Sequence, residues 1–323
     1  MHALIVADME GITELYSMND KERCKALYTN EIEVFIKVLR KNGIAKITVC
    51  DAHDKGDMIN KDLIDKHNVD IVEQVWNMDL AIGKYDFAIL AGFHGKDGSQ
   101  GFIPHTFRYE ISGVLVNGVA IGEVEIFCRW LGGKGIPVIL VTGDNCAAFE
   151  GNQFNPYRMT CCIKSVHAPV YEDGSDVLYA KIESCVRIAL GLDFAKCKAN
   201  DDVSALVEIR DKDMLQMQSV SAIAKDERLV FASCSDLVIN LKQLADSFNQ
   251  KIRQRWTESM KFVEELRNIV KNLPQDAVDD SRMKMLLDKP PTILTNEEKE
   301  EIKSYLRRKA DESSSLHPSI HTL

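Results

Sequence analysis

The chain has 323 residues, enough for about two domains on a prior of roughly 100–200 residues each. Its 45% hydrophobic and 28% charged residues are the balance of a globular protein and exclude wholesale disorder. With 40 Lys and Arg against 49 Asp and Glu, the formal net charge is -9, so no diffuse basic field exists to hold nucleic acid or an anionic membrane.

No apolar run approaches the roughly 20 residues needed to span a bilayer. The start runs from Met1 into Ala3-Leu-Ile-Val-Ala7 and Asp8 without a basic leader or cleavage signal, and the expected location is cytoplasmic. Nine scattered cysteines without a CxxC pair predict mostly buried, reduced thiols rather than a zinc ribbon.

In chain order, four short apolar, β-branched runs read as strands: Ala3 to Ala7, Lys46 to Cys50, Asp86 to Ala91 and Ile136 to Thr142. Between the first two, Ile32, Phe35, Ile36 and Leu39 recur at helical spacing, and Asn42-Gly43 closes the helix. Continuous apolar strands alternating with helices predict an α/β fold, a mainly parallel sheet flanked by helices. Residues 113–121 form two apolar arms around Asn117-Gly118, a hairpin signal, and a helix follows from Gly122 to Leu131. A polar loop then leads to a helix from Ser175 to Leu190, and Ala205 to Ile209 and Asp236 to Ile239 read as strands of a smaller α+β part. From Leu241 to Leu273 the apolar spacing is helical again, followed by short helices and a polar end. The expected organisation is an α/β metal-site domain over 1–150, a smaller α+β part over 151–250 that completes the same unit, and a helical extension with a loose terminus over 251–323.

Metal-capable residues fall at the ends of successive strands. Asp8-Met-Glu10 follows the first, Asp51-Ala-His53 the second and Gly92-Phe-His94 the third. A parallel sheet gathers such ends on one edge, where ligands bind. Imidazoles with carboxylates suit zinc or a similar divalent ion better than calcium or magnesium. Each piece alone also reads as a hydrogen-bonded loop histidine or a solvated carboxylate pair; their succession favours a metal site. His105, in a glycine-rich loop, is a candidate general acid or base. Glu123 opens a helix, where a carboxylate is favoured by the dipole, so on pattern alone it reads as a cap. His2, His67, His167, His317 and His321 read as structural or surface residues. No GxGxxG, GxxxxGK[ST] or GxSxG occurs, which excludes the usual nucleotide cradles and the serine-hydrolase elbow.

These residues resemble the M55 D-aminopeptidases. The likeness rests on Val6-Ala-Asp8-Met-Glu10-Gly11-Ile12, Asp51-Ala-His53, Gly92-Phe-His94, Pro104-His105-Thr106, Asn117-Gly118 with Gly122-Glu123, and Thr142-Gly-Asp144, over roughly residues 1–250. The resemblance implies a two-zinc centre with Asp8, Glu10, His53, His94 and Glu123 as ligands, Asp8 bridging, and His105 as the catalytic side chain. It turns the reading of Glu123 from cap to ligand. It implies hydrolysis of the first peptide bond of short peptides with a D-residue at the amino terminus, in a homo-oligomer, a decamer of stacked pentamers. Asp144 is a candidate for the substrate's ammonium group. This histidine sits between Pro104 and Thr106, where family members carry small hydroxyl residues on both sides, so Pro104 departs from the pattern, and the tail beyond about 260 exceeds the family length. The competing readings are the same centre acting on L-aminoacyl peptides or another amide, and a non-catalytic metal-binding assembly protein.

Overall fold

The structure is a computed structural model that describes residues 1–64, 67–81, 83–165, 175–211, 223–225, 228–271, 273, 278, 280–291 and 294–316. His167, His317 and His321 lie outside these residues. Contacts divide the chain into two compact units, Met1–Ala245 and Asp246–Leu323.

The first unit opens with β1 (His2–Ala7), α1 (Lys21–Lys41), β2 (Lys46–Asp51), β3 (Val69–Glu73) and β4 (Phe87–Phe93). It continues through β5 (Ile111–Val116), β6 (Val119–Ile121), α2 (Glu123–Gly133), β7 (Val138–Asp144), α3 (Asn145–Phe154) and β8 (Met159–Lys164). Next come α4 (Ser175–Leu190), the short α5 (Phe194–Cys197), β9 (Ala205–Ile209), β10 (Ile223–Lys225), β11 (Arg228–Phe231) and the start of α6 (Cys234–Val270). Six strands form a parallel sheet in the order β3-β2-β1-β4-β7-β8. The others form an antiparallel sheet, β10-β11-β9-β5-β6. The two sheets interleave along the sequence, and residue 150 falls inside α3.

The expected α/β architecture is present. β1 and β4 are buried almost throughout, as strands covered on both faces must be. Helix α1 starts where the Asp20 carboxylate accepts the Arg23 N–H and ends at Asn42, and its Ile32, Phe35, Ile36 and Leu39 pack into the sheet core. Asn117 and Gly118 both take left-handed φ, 52° and 77°, as the β5–β6 turn requires. Seven of the nine cysteines are buried.

One expected strand is a helix. Asp236 to Ile239 lies in the first turns of α6, whose opening N–H groups at Cys234 and Ser235 are taken by the Asp201 carboxylate. Its buried Leu237, Val238, Leu241 and Leu244 keep helical spacing, so the apolar run belongs to a helix face. Strands β3 and β8 and helix α3 were not expected. β3 and β8 are short strands at the sheet edges with interspersed polar residues, which weakens the apolar signal.

In the second unit, α7 (Ser281–Leu287) and α8 (Asn296–Leu316) pack with the later part of α6 around Phe262, Met283, Leu286, Leu294, Ile302, Tyr305 and Leu306. Among the described residues, no helix is long and apolar enough to cross a membrane.

Two glycines bring the strand ends together. Gly92, at a bulge in β4, has φ +75°, and a Cβ there would sit 2.2 Å from the Asp8 carbonyl oxygen. A Cβ on Gly11 would meet the Phe93 carbonyl oxygen at 1.8 Å. In their absence the backbones approach closely, with Asp8 N–H donating to Ala91 C=O and Gly11 N–H to Gly92 C=O, each at 2.8 Å. Gly92→Ala is therefore expected to destabilise the protein by about 2–5 kcal/mol, from a left-handed backbone at roughly 1–2 and overpacking at roughly 1–3. Urea unfolding measures it, and a change under about 0.5 kcal/mol, the range of an inconsequential surface substitution, would contradict the close-approach argument.

Candidate metal centre

β1 lies between β2 and β4, so the segments leaving these three strands meet above one edge of the sheet. Asp8 and Glu10 follow β1, His53 follows β2, His94 follows β4, and Glu123 opens α2. Asp8, Glu10, His94 and Glu123 are all buried. Asp8 presents one oxygen to each imidazole: Oδ1 is 3.5 Å from His53 Nδ1 and Oδ2 is 3.4 Å from His94 Nε2. Glu10 Oε2 is 2.9 Å from His53 Nδ1, and Glu123 Oε1 is 3.4 Å from His94 Nε2. Potential ligand atoms of Asp8, Glu10 and His53, and likewise those of His94, His105 and Glu123, lie within 4.8 Å of one another.

The remaining hydrogen bonds orient these groups. His94 Nδ1 is 2.9 Å from Gly95 C=O; donating there leaves Nε2 with its lone pair toward the carboxylates, the arrangement of a metal-ligating imidazole. His105 Nδ1 is 2.8 Å from Ile103 C=O, and the His105 ring stacks on His94 at 4.1 Å between centroids and 7° between planes. Its Nε2 stands 3.9 Å from Glu10 Oε1 and 4.0 Å from Glu123 Oε1. The loop is strained at both sides of His105, because Ile103 (φ 48°) and Phe107 (φ 59°) are left-handed without being glycine.

Electrostatics favours a cation here. Burial raises the Asp8 carboxyl, but His53 and His94 outweigh it and hold the group below its ordinary range. Burial likewise raises Glu123, and His94 again reverses the sign. Burial opposes protonation of His53, yet Asp8 and Glu10 hold its imidazolium up to about 11. His94 is also raised, by Glu123 and Asp8 against burial. Asp8 Oδ2 and Glu10 Oε2 are buried without a well-aligned hydrogen-bond donor. Three carboxylates and two imidazoles with unsatisfied oxygens fit a divalent ion of the zinc type.

Other carboxylates serve as scaffolding. Glu123 makes no side-chain cap; that role falls to Glu150, whose Oε1 accepts the Gly122 and Glu125 N–H groups at the start of α2. Burial raises Glu150 to about 7. Asp51 closes the loop around His53 by accepting the Met58 and Ile59 N–H groups and the Tyr28 hydroxyl. Asp144 is not brought to the site as expected for a substrate ligand. It is fully buried, with Oδ1 on Ala147 N–H and Oδ2 on the N–H groups of Gly95 and Phe102, so it fixes the loop that leads to His105.

Asp8, Glu10, His53, His105 and Glu123 line a cavity of about 430 Å³. Val75, Trp76, Phe107, Phe127, Leu241 and Leu244 supply apolar walls, and Asp54 and Arg108 add charge. The sequence reading missed these wall residues, which come from segments without a chemical motif. His2, expected to be structural, pairs with Thr48 Oγ1 at 2.9 Å, and His67 is exposed.

A carboxylate–imidazole cluster at the carboxyl ends of a parallel sheet, opening on a cavity, places the chain among α/β proteins with a candidate hydrolytic metal centre. Residues 1–225 match the family model of M55 peptidases, described as D-aminopeptidase, and the chain belongs to that family. A D-aminopeptidase of Bacillus subtilis (strain 168) is 24% identical over 177 residues, which cover 51% of this chain and 64% of that protein. The match thus spans a little under two thirds of the relative's length. The solved structure described as Zn-dependent D-aminopeptidase DppA from Bacillus subtilis, a self-compartmentalizing protease, has the same fold. It superposes with a TM-score of 0.64 and 17% identity, covering 77% of this chain and 97% of that one.

Raised imidazoles are protonated at neutral pH, and a metal must displace those protons from His53 and His94. Zinc affinity of the metal-free protein is therefore expected to rise with pH, with proton release visible by calorimetry in buffers of different ionisation enthalpy. Affinity independent of pH would mean that both rings are neutral before binding.

Proposed function

We propose that the protein is a zinc-dependent aminopeptidase that removes the N-terminal residue, a D-amino acid, from short peptides. The observation that carries this reading is the convergence of Asp8, Glu10, His53, Glu123 and His105 on one cavity, with His94 buried against Asp8 and Glu123 behind them, in a chain of the M55 family. Asp8, Glu10 and His53 would hold one ion and His94 and Glu123 a second, with Asp8 facing both sets. Zinc in such a centre supplies a Lewis acid for the scissile carbonyl and a water activated at neutral pH.

The chain's own groups account for the rest. His105 keeps Nδ1 on Ile103 C=O, which aims Nε2 past Glu10 and Glu123. From there the ring passes a proton from the attacking water to the departing amine as the C–N bond breaks. Asp54, exposed at the cavity, is the carboxylate available to the substrate's ammonium, since both Asp144 oxygens are occupied. The apolar walls accept an uncharged side chain and lower the local dielectric around the reacting groups. The preference for D-residues and the assembly into a decamer of stacked pentamers rest on the family rather than on a contact in this chain. The cytoplasmic location is part of the same proposal.

Release of the N-terminal residue from matched D- and L-alanyl peptides, with chelator and with zinc restored, tests the reading. Zinc-restorable cleavage of the D peptide is expected. Cleavage of the L peptide alone would overturn the stereochemistry, and cleavage of neither would overturn the peptidase. His105→Ala is expected to retain zinc while lowering turnover by about 10²–10⁴. Loss of zinc from that variant would instead make His105 a ligand of the group it forms with His94 and Glu123.

A further inference from the structure

Lys164, the last residue of β8, is fully buried, yet among the described residues no carboxylate lies within ion-pair distance of its ammonium. Its Nζ donates to the Glu10 carbonyl oxygen at 2.7 Å and to the Leu15 carbonyl oxygen, and stands 3.6 Å from the centroid of the Phe102 ring and 5.1 Å from that of Tyr16. A buried charge is costly, and an apolar side chain of similar length would fill the same space without that cost. What an apolar side chain cannot do is tie two carbonyls of one loop together. That loop, residues 8–15, carries Asp8 and Glu10.

The loop is held from the opposite polarity too. Glu31, buried on α1, accepts the Thr13 N–H at 2.9 Å and the Thr13 hydroxyl at 3.0 Å. Carbonyls on either side of Thr13 thus meet an ammonium while Thr13 itself meets a carboxylate. Asp144 faces Lys164 across the β7–β8 pairing and fixes Gly95 and Phe102, so the Phe102 ring beneath Nζ belongs to the loop that leads to His105. Lys164 contacts both loops but does not line the cavity.

We infer that Lys164 is a positioning residue for the metal centre: its ammonium fixes the backbone on which Glu10 and Asp8 are carried and seats it against the loop of His105. The inference rests on the metal reading proposed above. Groups that orient ligands typically change metal affinity by about 10–100-fold when removed.

The test compares the full-length protein with Lys164→Met, Lys164→Gln and, as a control, Leu39→Ala, which opens the core under the last turn of α1, about two turns beyond Glu31. Zinc dissociation constants are measured by competition with a fluorescent chelator, beside the melting temperature of each metal-free protein. Lys164→Met is expected to weaken zinc binding by about 10–100-fold. Lys164→Gln, which keeps N–H donors, is expected to lose less, and Leu39→Ala to melt earlier with zinc affinity unchanged. Zinc affinity of Lys164→Met unchanged from wild type, as in Leu39→Ala, overturns the inference; if Lys164→Met does not fold, unchanged affinity of Lys164→Gln does so in its place. A wild-type protein that takes up no zinc overturns the metal reading and this inference together; wild-type binding with unimpaired Lys164 variants overturns the inference alone.

Discussion

Three carboxylates, Asp8, Glu10 and Glu123, are buried within a few ångströms of the same two imidazoles, and the loops of the first unit are arranged around that concentration of negative charge. Like charges out of water destabilise a fold unless cations join them. Without metal, protons on His53 and His94 meet part of the demand. The sheet supplies the location. In the order β3-β2-β1-β4-β7-β8 the connections run one way from β1 to β2 and the other way from β4, so the crevice at the ends of β1 and β4 is a topological switch point. Metal-capable side chains on the segments after β1, β2 and β4 then meet at one edge of the sheet.

Convergence at this density requires backbones closer than side-bearing residues allow, which is the contribution of Gly11 and Gly92. It also requires that the loops be fixed from behind. Asp51 closes the His53 loop, Asp144 the approach to His105, Glu150 the start of α2, and Lys164 with Glu31 the segment after β1. Each of these charged groups spends itself on backbone donors or acceptors. The site is therefore held largely by polar contacts to main chain, while Met9, Ile12 and Leu15 anchor the segment after β1 in the apolar core.

Much of this was legible in the sequence because the signals were local. Strands β1, β2, β4 and β7 are strongly apolar, α1 has a clean helical face, and Asn117-Gly118 marks its own turn. The residues expected at the centre were those that follow such strands, His105 in its glycine-rich loop and, through the family pattern, Glu123. What was not legible depended on partners distant in sequence. Asp236 to Ile239 looks like a strand until Asp201, more than thirty residues earlier, is seen to cap the helix that contains it. β8 carries Lys164 in a run of mixed polarity, and only the Glu10 and Leu15 carbonyls that meet its ammonium show why a lysine can be buried there. The cavity wall at Leu241 and Leu244 comes from a helix with no motif, beyond the 1–225 stretch that matches the family.

Asp144 makes the same point at the level of chemistry. In sequence, Asp8, Asp51 and Asp144 are equivalent, each an aspartate at or just beyond the end of an apolar strand. Their roles separate only through what satisfies their oxygens. Asp144 accepts three backbone N–H groups, and Asp51 accepts two with a hydroxyl, so most of the acceptor capacity of each, about four lone pairs, is taken by the protein itself. Asp8 instead turns its oxygens to two imidazoles and leaves Oδ2 without an aligned donor. A strand-end carboxylate is left open to a cation when the loop beyond it turns its N–H groups elsewhere. In the segment after β1 they are turned elsewhere: the Asp8 and Gly11 N–H groups go to the end of β4 and that of Thr13 to Glu31, while Lys164 takes the carbonyls.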